Sequence, residues 1–433
     1  MRTARLILLP LALGLAVIAV AQEPTGRGAI FFHPDGASMA HWDAARMRYA
    51  GPDGSLNWDR YPYSAPYRGH MSDRLVSTSN GGAVSHATGT RAHAGSFGLD
   101  PDDNEMVSAD GTTRTIVEAA IEAGLPTALI QTGSLIEPGT AAFVAESPSR
   151  GRYEDIALQV VESGVDIHLG GGEQWLLPEG VQGRFGMGRR TDGRNLVEDL
   201  EAAGYTVVYT REELAALPAG VDRVFGVFAE DHSFFDESEE DLAERGQAPY
   251  LESAPSVAEM TRFVLDRITD GARGFLLVIE EEGSDNFCNR MNASGCLEAL
   301  RRADEAAGVL LDYVEGNPDT LLVTAADSNA GGMNVIDVPR GLQQVPERDP
   351  STGGLLDGAD GTGTAPFMSA ADASGRRFPF AIAWASGSDL GAGVVARGAG
   401  WQADRFIDPS GVHNIDIYAM LYETLFGEPP SAD

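Results

Sequence analysis

Phe275-Leu276-Leu277-Val278-Ile279-Glu280, continued by Glu281-Glu282-Gly283-Ser284-Asp285, is an apolar run closed by carboxylates and a glycine. Buried parallel strands read as near-continuous apolar runs, because helices cover both of their faces. Two further stretches have the same form: Ala29-Ile30-Phe31-Phe32 leads to Asp35, and Leu321 to Thr324 leads to Asp327. Open α/β sheets bind ligands at the C-terminal edge of such strands. Asp35, Glu280, Asp285 and Asp327 converging there would repel one another unless cations lay between them. The first expectation is a metal site built mainly from oxygen.

Outward from these runs, apolar strands alternate with amphipathic stretches. Thr115–Ala123 reads as a helix stopped by Gly124, and Pro126–Gln131 as the strand after it. Ile156–Glu162, Asn195–Ala203 and Ala299–Tyr313 are further helices; Tyr205–Tyr209 and Phe380–Trp384 are strands. The alternation predicts an α/β fold, a mostly parallel central sheet between two helical layers. Residues 227–256 break the pattern and read as an acidic surface insertion, and the Gly/Asp/Ser-rich stretch 350–376 as a long loop over one end of the sheet.

Composition narrows the class. Met1–Ala21, with Arg2 and Arg5 before an apolar stretch and Ala19-Val20-Ala21 at its end, reads as a secretory signal rather than an uncleaved anchor. The mature domain then runs from 22 to 433, in the periplasm or outside the cell, with no further segment apolar enough to span a bilayer. Losing two arginines and no acid takes the net charge from −33 to −35. That charge excludes nucleic-acid backbone binding, which needs clustered cations. Every basic residue other than histidine is arginine. Cys288 and Cys296 suit a local disulfide in an oxidising compartment, with a two-thiolate zinc site as the weaker alternative because no histidine is near them in sequence.

Val76-Ser77-Thr78-Ser79-Asn80-Gly81-Gly82-Ala83 is small and polar, then helix-compatible. A hydroxyl there lies at the positive end of the helix, where it either caps the helix or presents a nucleophile to a phosphate. The stretch from Ser79 through Thr88-Gly89-Thr90-Arg91 to Leu99-Asp100 resembles the nucleophile helix of the alkaline phosphatase family. The other shared motifs follow in the same order: Phe32–Gly36, Gly133–Ala142, Ser149-Arg150-Gly151, Leu169–Gly172, Phe275–Asp285, Val323–Gly332 and Asn414–Tyr418.

The resemblance implies a phosphomonoester hydrolase acting on small phosphate esters through a phosphoserine, with up to three divalent metal ions and a homodimer as the usual assembly. By position, Ser79 is then the nucleophile and Arg150 the phosphate clamp. Asp35 bridges two metals, Thr140 and Glu280 share the magnesium site, and Asp285 and Asp327 each ligate one of the other two ions.

The departures concern nitrogen. Thr78 stands where the family has aspartate, Ser328 and Asn289 where it has zinc histidines, and Pro138 where it has an acidic residue or histidine. A third histidine, expected shortly before Phe380–Trp384, is missing from 357–376, where only Asp357, Asp360 and Asp372 offer oxygen. Oxygen shells suit magnesium, calcium or manganese better than zinc. Asn289 and Ser328 are therefore either neutral ligands or contacts to bound water. His86, His93 and His413 read as packed or surface residues, His33 as one able to approach the site, and His232 as unplaced. Rival readings are a phosphodiesterase or nucleotide phosphatase on the same scaffold, and a degenerate protein that binds phosphate or metal without turnover.

Overall fold

The computed structural model describes residues 23–269 and 274–431; the signal-like segment 1–21 lies outside them. Among the described residues the main sheet has ten strands: β1 (Gly28–Pro34), β2 (Tyr63–Arg68), β3 (Thr127–Ser134), β4 (Ile167–Gly171), β5 (Thr206–Val208), β6 (Val224–Val227), β7 (Phe275–Glu281), β8 (Leu321–Thr324), β9 (Val395–Gly400) and β10 (Val412–His413). Their order is β10-β2-β9-β8-β1-β7-β3-β4-β6-β5. Every pairing is parallel except the two that β9 makes, with β2 and β8.

The apolar runs read from sequence occupy the centre. Ala29 pairs Leu276 on one side and Leu321 on the other, so β8, β1 and β7 lie side by side with their acid-bearing ends together. Ile30, Phe31, Phe32, Leu277 and Val278 are wholly buried, and each such side chain stabilises by about 1.5–3 kcal/mol. One helical layer, Val257–Ile268 with Ala293–Gly316, packs on β3, β7 and β8. The other, Ser79–Thr88, Ile116–Glu122 and Asp416–Phe426, packs on β1, β3 and β7. This is the expected α/β fold. No helix among the described residues is long and apolar enough to cross a membrane.

Two segments differ from their sequence reading. Residues 350–376 are not one loop: Leu356–Gly358, Gly361–Thr362 and Phe367–Met368 join Asn334–Asp337 and Pro379–Ala383 in a small antiparallel sheet. Phe380–Trp384 is thus a strand of that sheet, not the main one. Residues 227–256 are acidic outside but anchored inside. Phe234 and Tyr250 are buried, and Ser233 donates to the Thr132 carbonyl through both its N–H (2.9 Å) and its hydroxyl (2.8 Å). Apolar anchors spaced among the acids fold this stretch back over the ends of β3 and β7.

Candidate active site

Asp35 leaves the end of β1 into a turn at Gly36, whose φ of 66° lies in the left-handed region. A methyl at Gly36 would collide with Ala330 and with the Asp285 carboxylate, so glycine alone lets the two acids approach. The Gly36 N–H donates to Asp35 Oδ1 (2.8 Å), and Ser284 Oγ donates to the Asp35 carbonyl (2.8 Å). Asp35 Oδ2 has no partner.

The three glutamates ending β7 divide their work. Glu281 is held by Tyr250 OH (2.7 Å), Thr132 Oγ1 (2.9 Å) and the Gly283 N–H (3.2 Å), so its role is structural. Both oxygens of Glu280 and Oε2 of Glu282 are buried without partners. A side chain at Gly139 would begin in the space held by the Glu280 carboxylate, so it fits only if that carboxylate moves away. Beside it, Gln131 donates to Thr140 Oγ1 (2.5 Å), in the Pro138–Ala141 helix that follows β3.

Asp285 opens the Gly283–Asn289 helix. One turn later the Asn289 carboxamide nitrogen donates to both its oxygens (3.0 Å each) and to Asp389 Oδ1 (3.0 Å). The Asn289 oxygen accepts from the Gly331 N–H (2.9 Å). Past β8, both oxygens of Asp327 and the hydroxyl of Ser328 are buried and unpartnered. Oxygens of Asp35, Glu282 and Asp285 lie within 4.8 Å of one another, as do donors of His33, Asp35 and Asp327.

Unpartnered buried carboxylates are costly. Burial, with the neighbouring charges of Asp389 and Glu137, pushes Asp35 up from 3.8 to about 6, while the Gly36 N–H opposes the rise. Burial, reinforced by mutual repulsion, drives Glu280, Glu282, Asp285 and Asp327 well above the usual carboxylate range. Orphaned oxygens in this number and closeness fit divalent cations, and the oxygen-rich donor set fits hard ones.

The Ser79–Thr88 helix runs past this cluster. Thr78 is its N-cap: the hydroxyl accepts from the Gly81 N–H (3.3 Å) and donates to the Ala94 carbonyl (2.8 Å). Ser79 occupies the first helical position, half-exposed. One turn on, Gly82 abuts Asp327; a methyl there would stand 3.0 Å from the Asp327 Cβ. Arg150 donates to Glu137 Oε2 (2.9 Å), and the charges of Glu137, Glu282 and Asp35 all act on it. His232 accepts the Ser134 N–H at Nδ1 (3.2 Å), stacks on Phe234, and sets Nε2 4.0 Å from Glu137.

Several of these groups were missing from, or unplaced by, the sequence reading. Asp389 follows Pro379–Ala383 rather than preceding it. Asp357, by contrast, accepts from Trp384 Nε1 (2.6 Å), and Asp372 caps a turn with Arg376. Glu282 was hidden as the third of three consecutive glutamates, and Glu137 carried no signal beyond lying three residues before Thr140. His86 is packed as expected, against Tyr67 OH (2.6 Å). Cys288 and Cys296 form a disulfide, Cα–Cα 5.3 Å. A histidine does lie near them in space: His41, whose Nδ1 accepts from Ser38 N–H (3.2 Å) and whose Nε2 contacts the Ala330 carbonyl (3.1 Å).

A family model described as Alkaline phosphatase matches residues 27–346. Streptomycin-6-phosphate phosphatase of Streptomyces griseus is 29% identical over 342 residues, 70% of this chain and 73% of that protein. The alkaline phosphatase of Escherichia fergusonii is 25% identical over 353 residues, 72% of each. Among solved structures, the alkaline phosphatase of Thermus thermophilus superposes with a TM-score of 0.71 at 22% identity, covering 97% of this chain and 96% of that one. That of the Antarctic bacterium TAB5 gives 0.68 at 17%, covering 93% and 98%. With its fold shared and residues 27–346 matched by the family model, this chain belongs to the alkaline phosphatase family, a membership that supports a phosphatase function.

Proposed function

We propose that the chain is an exported, metal-dependent phosphomonoester hydrolase working through a phosphoserine at Ser79. The carrying observation is the division of labour at the helix start. Thr78 spends its hydroxyl on capping, while Ser79 follows at the first helical position, three residues before Gly82, which abuts the unpartnered Asp327. Asp35, Asp327 and Ser328 would hold one cation, Asp285 and Asp389 a second with Asn289 spacing them, and Asp35, Thr140 and Glu280 a third, joined by Glu282. Bound divalent cations supply charge neutralisation and Lewis acidity, lowering the pKa of oxygen nucleophiles.

The chain's own residues do the rest. Ser79 Oγ attacks phosphorus in line as the ester P–O bond breaks, and the seryl proton ends on the departing alcohol. Arg150 neutralises the equatorial phosphoryl oxygens with its planar fork. Glu137 holds Arg150 ready from the other side. The first-turn N–H groups of the Ser79–Thr88 helix favour the phosphoseryl anion. Water then attacks phosphorus, and Ser79 leaves with a proton restored.

Replacing Ser79 by Ala should cut turnover of an aryl phosphate by about 10³-fold or more while leaving the fold intact. Full activity in that variant would refute the assignment. Matched aryl mono- and diesters separate this reading from a phosphodiesterase. Phosphate binding without turnover under magnesium, calcium, manganese or zinc would instead mark a non-catalytic binder.

A further inference from the structure

We propose that His33 is a metal ligand, returning through strand β1 one of the imidazoles that this chain lacks at the family's zinc positions. The proposal rests on the metal-dependent reading above and adds a donor to it. His33 stands near the end of β1, two residues before Asp35, and its ring reaches the Asp35 carboxylate. Its Nδ1 lies 2.7 Å from the Ala325 carbonyl oxygen, which can only accept. Nδ1 therefore carries the hydrogen, and Nε2 is the nitrogen turned toward the carboxylates. This is how metal-binding histidines are oriented: the far nitrogen is tied to a carbonyl and the near one is left for the ion.

Nε2 faces a carboxylate. It lies 3.2 Å from Asp35 Oδ1, an oxygen already taken by the Gly36 N–H. Asp35 Oδ2 and both oxygens of Asp327 are unpartnered. A His33 ring nitrogen, one Asp35 oxygen and one Asp327 oxygen lie mutually within 4.8 Å, a spacing that bonds of about 2.0–2.2 Å to a shared cation can draw together. The ring is fixed by packing: Phe31 lies 5.7 Å from it, and His86 meets it edge-on at 5.5 Å. His33 is 1% exposed, so no water competes from bulk solvent.

One nitrogen changes the metal preference of this site. A carboxylate, carboxylate, imidazole set suits borderline cations such as manganese, cobalt or zinc, whereas the oxygen-only group of Asp35, Glu282 and Asp285 suits magnesium or calcium. The two clusters share Asp35 and would be loaded by different ions.

The test loads chelator-stripped protein, labelled with 15N-histidine, with cadmium-113 and records its NMR spectrum, in which each bound ion gives its own resonance. One resonance should show one-bond coupling to a histidine nitrogen. His33→Gln should abolish that coupling while other cadmium resonances remain; His232→Gln, at the other imidazole near the phosphate end, should leave it intact. The His33→Gln variant should also lose zinc affinity by more than the roughly 10- to 100-fold that an outer-shell partner is worth, with magnesium affinity little changed. Bound cadmium without any histidine coupling, or coupling that survives His33→Gln, overturns the proposal and makes His33 a protonated partner of Asp35. Coupling lost in His232→Gln overturns it too, and remains informative should His33→Gln fail to fold. If no cadmium, zinc, manganese or magnesium is retained at all, the metal-dependent reading itself falls.

Discussion

Asn289 clamps Asp285: one carboxamide nitrogen reaches both carboxylate oxygens at 3.0 Å and extends to Asp389. A neutral donor thus separates two acids, of which Asp285 is driven toward protonation by burial and then by the neighbouring charge of Asp389. Asn289→Ala should cost about 2 kcal/mol of stability in chelated protein, since hydrogen bonds to charged groups are worth about 1.5–3 kcal/mol. With excess divalent cation the loss should be smaller. Denaturant unfolding with and without chelator measures both; equal losses would mean that Asn289 does not relieve the repulsion.

Metal removal should reverse the pH dependence of stability. Burial raises Asp35 from 3.8 to about 6 and Glu281 from 4.5 to about 7. For an acid raised by folding, the folded state holds the extra proton, so stability is full below the unfolded pKa and is lost as pH rises through the folded one. Chelated protein should therefore weaken progressively from about pH 4 to about pH 7. Cation-loaded protein should strengthen over the same window, because metal binds the deprotonated acids. Melting curves across that range in the two states decide it; parallel trends would refute the cation-site reading.

Thr78 and Ser79 should separate cleanly by mutation. Thr78→Ala removes the cap and should cost about 1 kcal/mol of stability while keeping most turnover. Ser79→Ala should do the opposite. Thermal melts and initial rates on the two variants form the comparison, and a Thr78→Ala protein without turnover would exchange the roles.

Arg150→Ala should reduce kcat/KM by about 10²–10³-fold, the scale of losing one donor aimed at the transition-state charge. Arg150→Lys should recover little, since a point charge does not reproduce the two-pronged fork. Glu137→Gln should leave more activity than either, because Glu137 positions the arginine without touching phosphate.

The disulfide joins the end of the Gly283–Asn289 helix to the start of the next one. Closing so short a loop is worth about 2–3 kcal/mol on a chain-entropy account. The double Cys288→Ala, Cys296→Ala variant should lose that much in urea unfolding. It should also bind cations more weakly, because Asp285 and Asn289 ride on the tethered helix.

The sequence made the sheet centre legible because β1, β7 and β8 are buried on both faces and are apolar until their C-terminal ends. Asp35, Glu280, Asp285 and Asp327 were readable for that reason. Asp389 and His232 were not: each comes from a segment that returns to the site after leaving the sheet, and no local spacing encodes such a return. The small antiparallel sheet was missed similarly, since its strands of two to five residues are too short to show alternation. His33 was visible as a neighbour of Asp35, but only the Ala325 carbonyl reveals which ring nitrogen faces the acids.

Gly139 carries a cost for anyone remodelling this protein. Because the Glu280 carboxylate occupies the space where its side chain would begin, saturation mutagenesis there should return glycine alone among active clones. Screens that broaden substrate choice by varying the Glu137–Ala141 segment have to leave its middle position fixed.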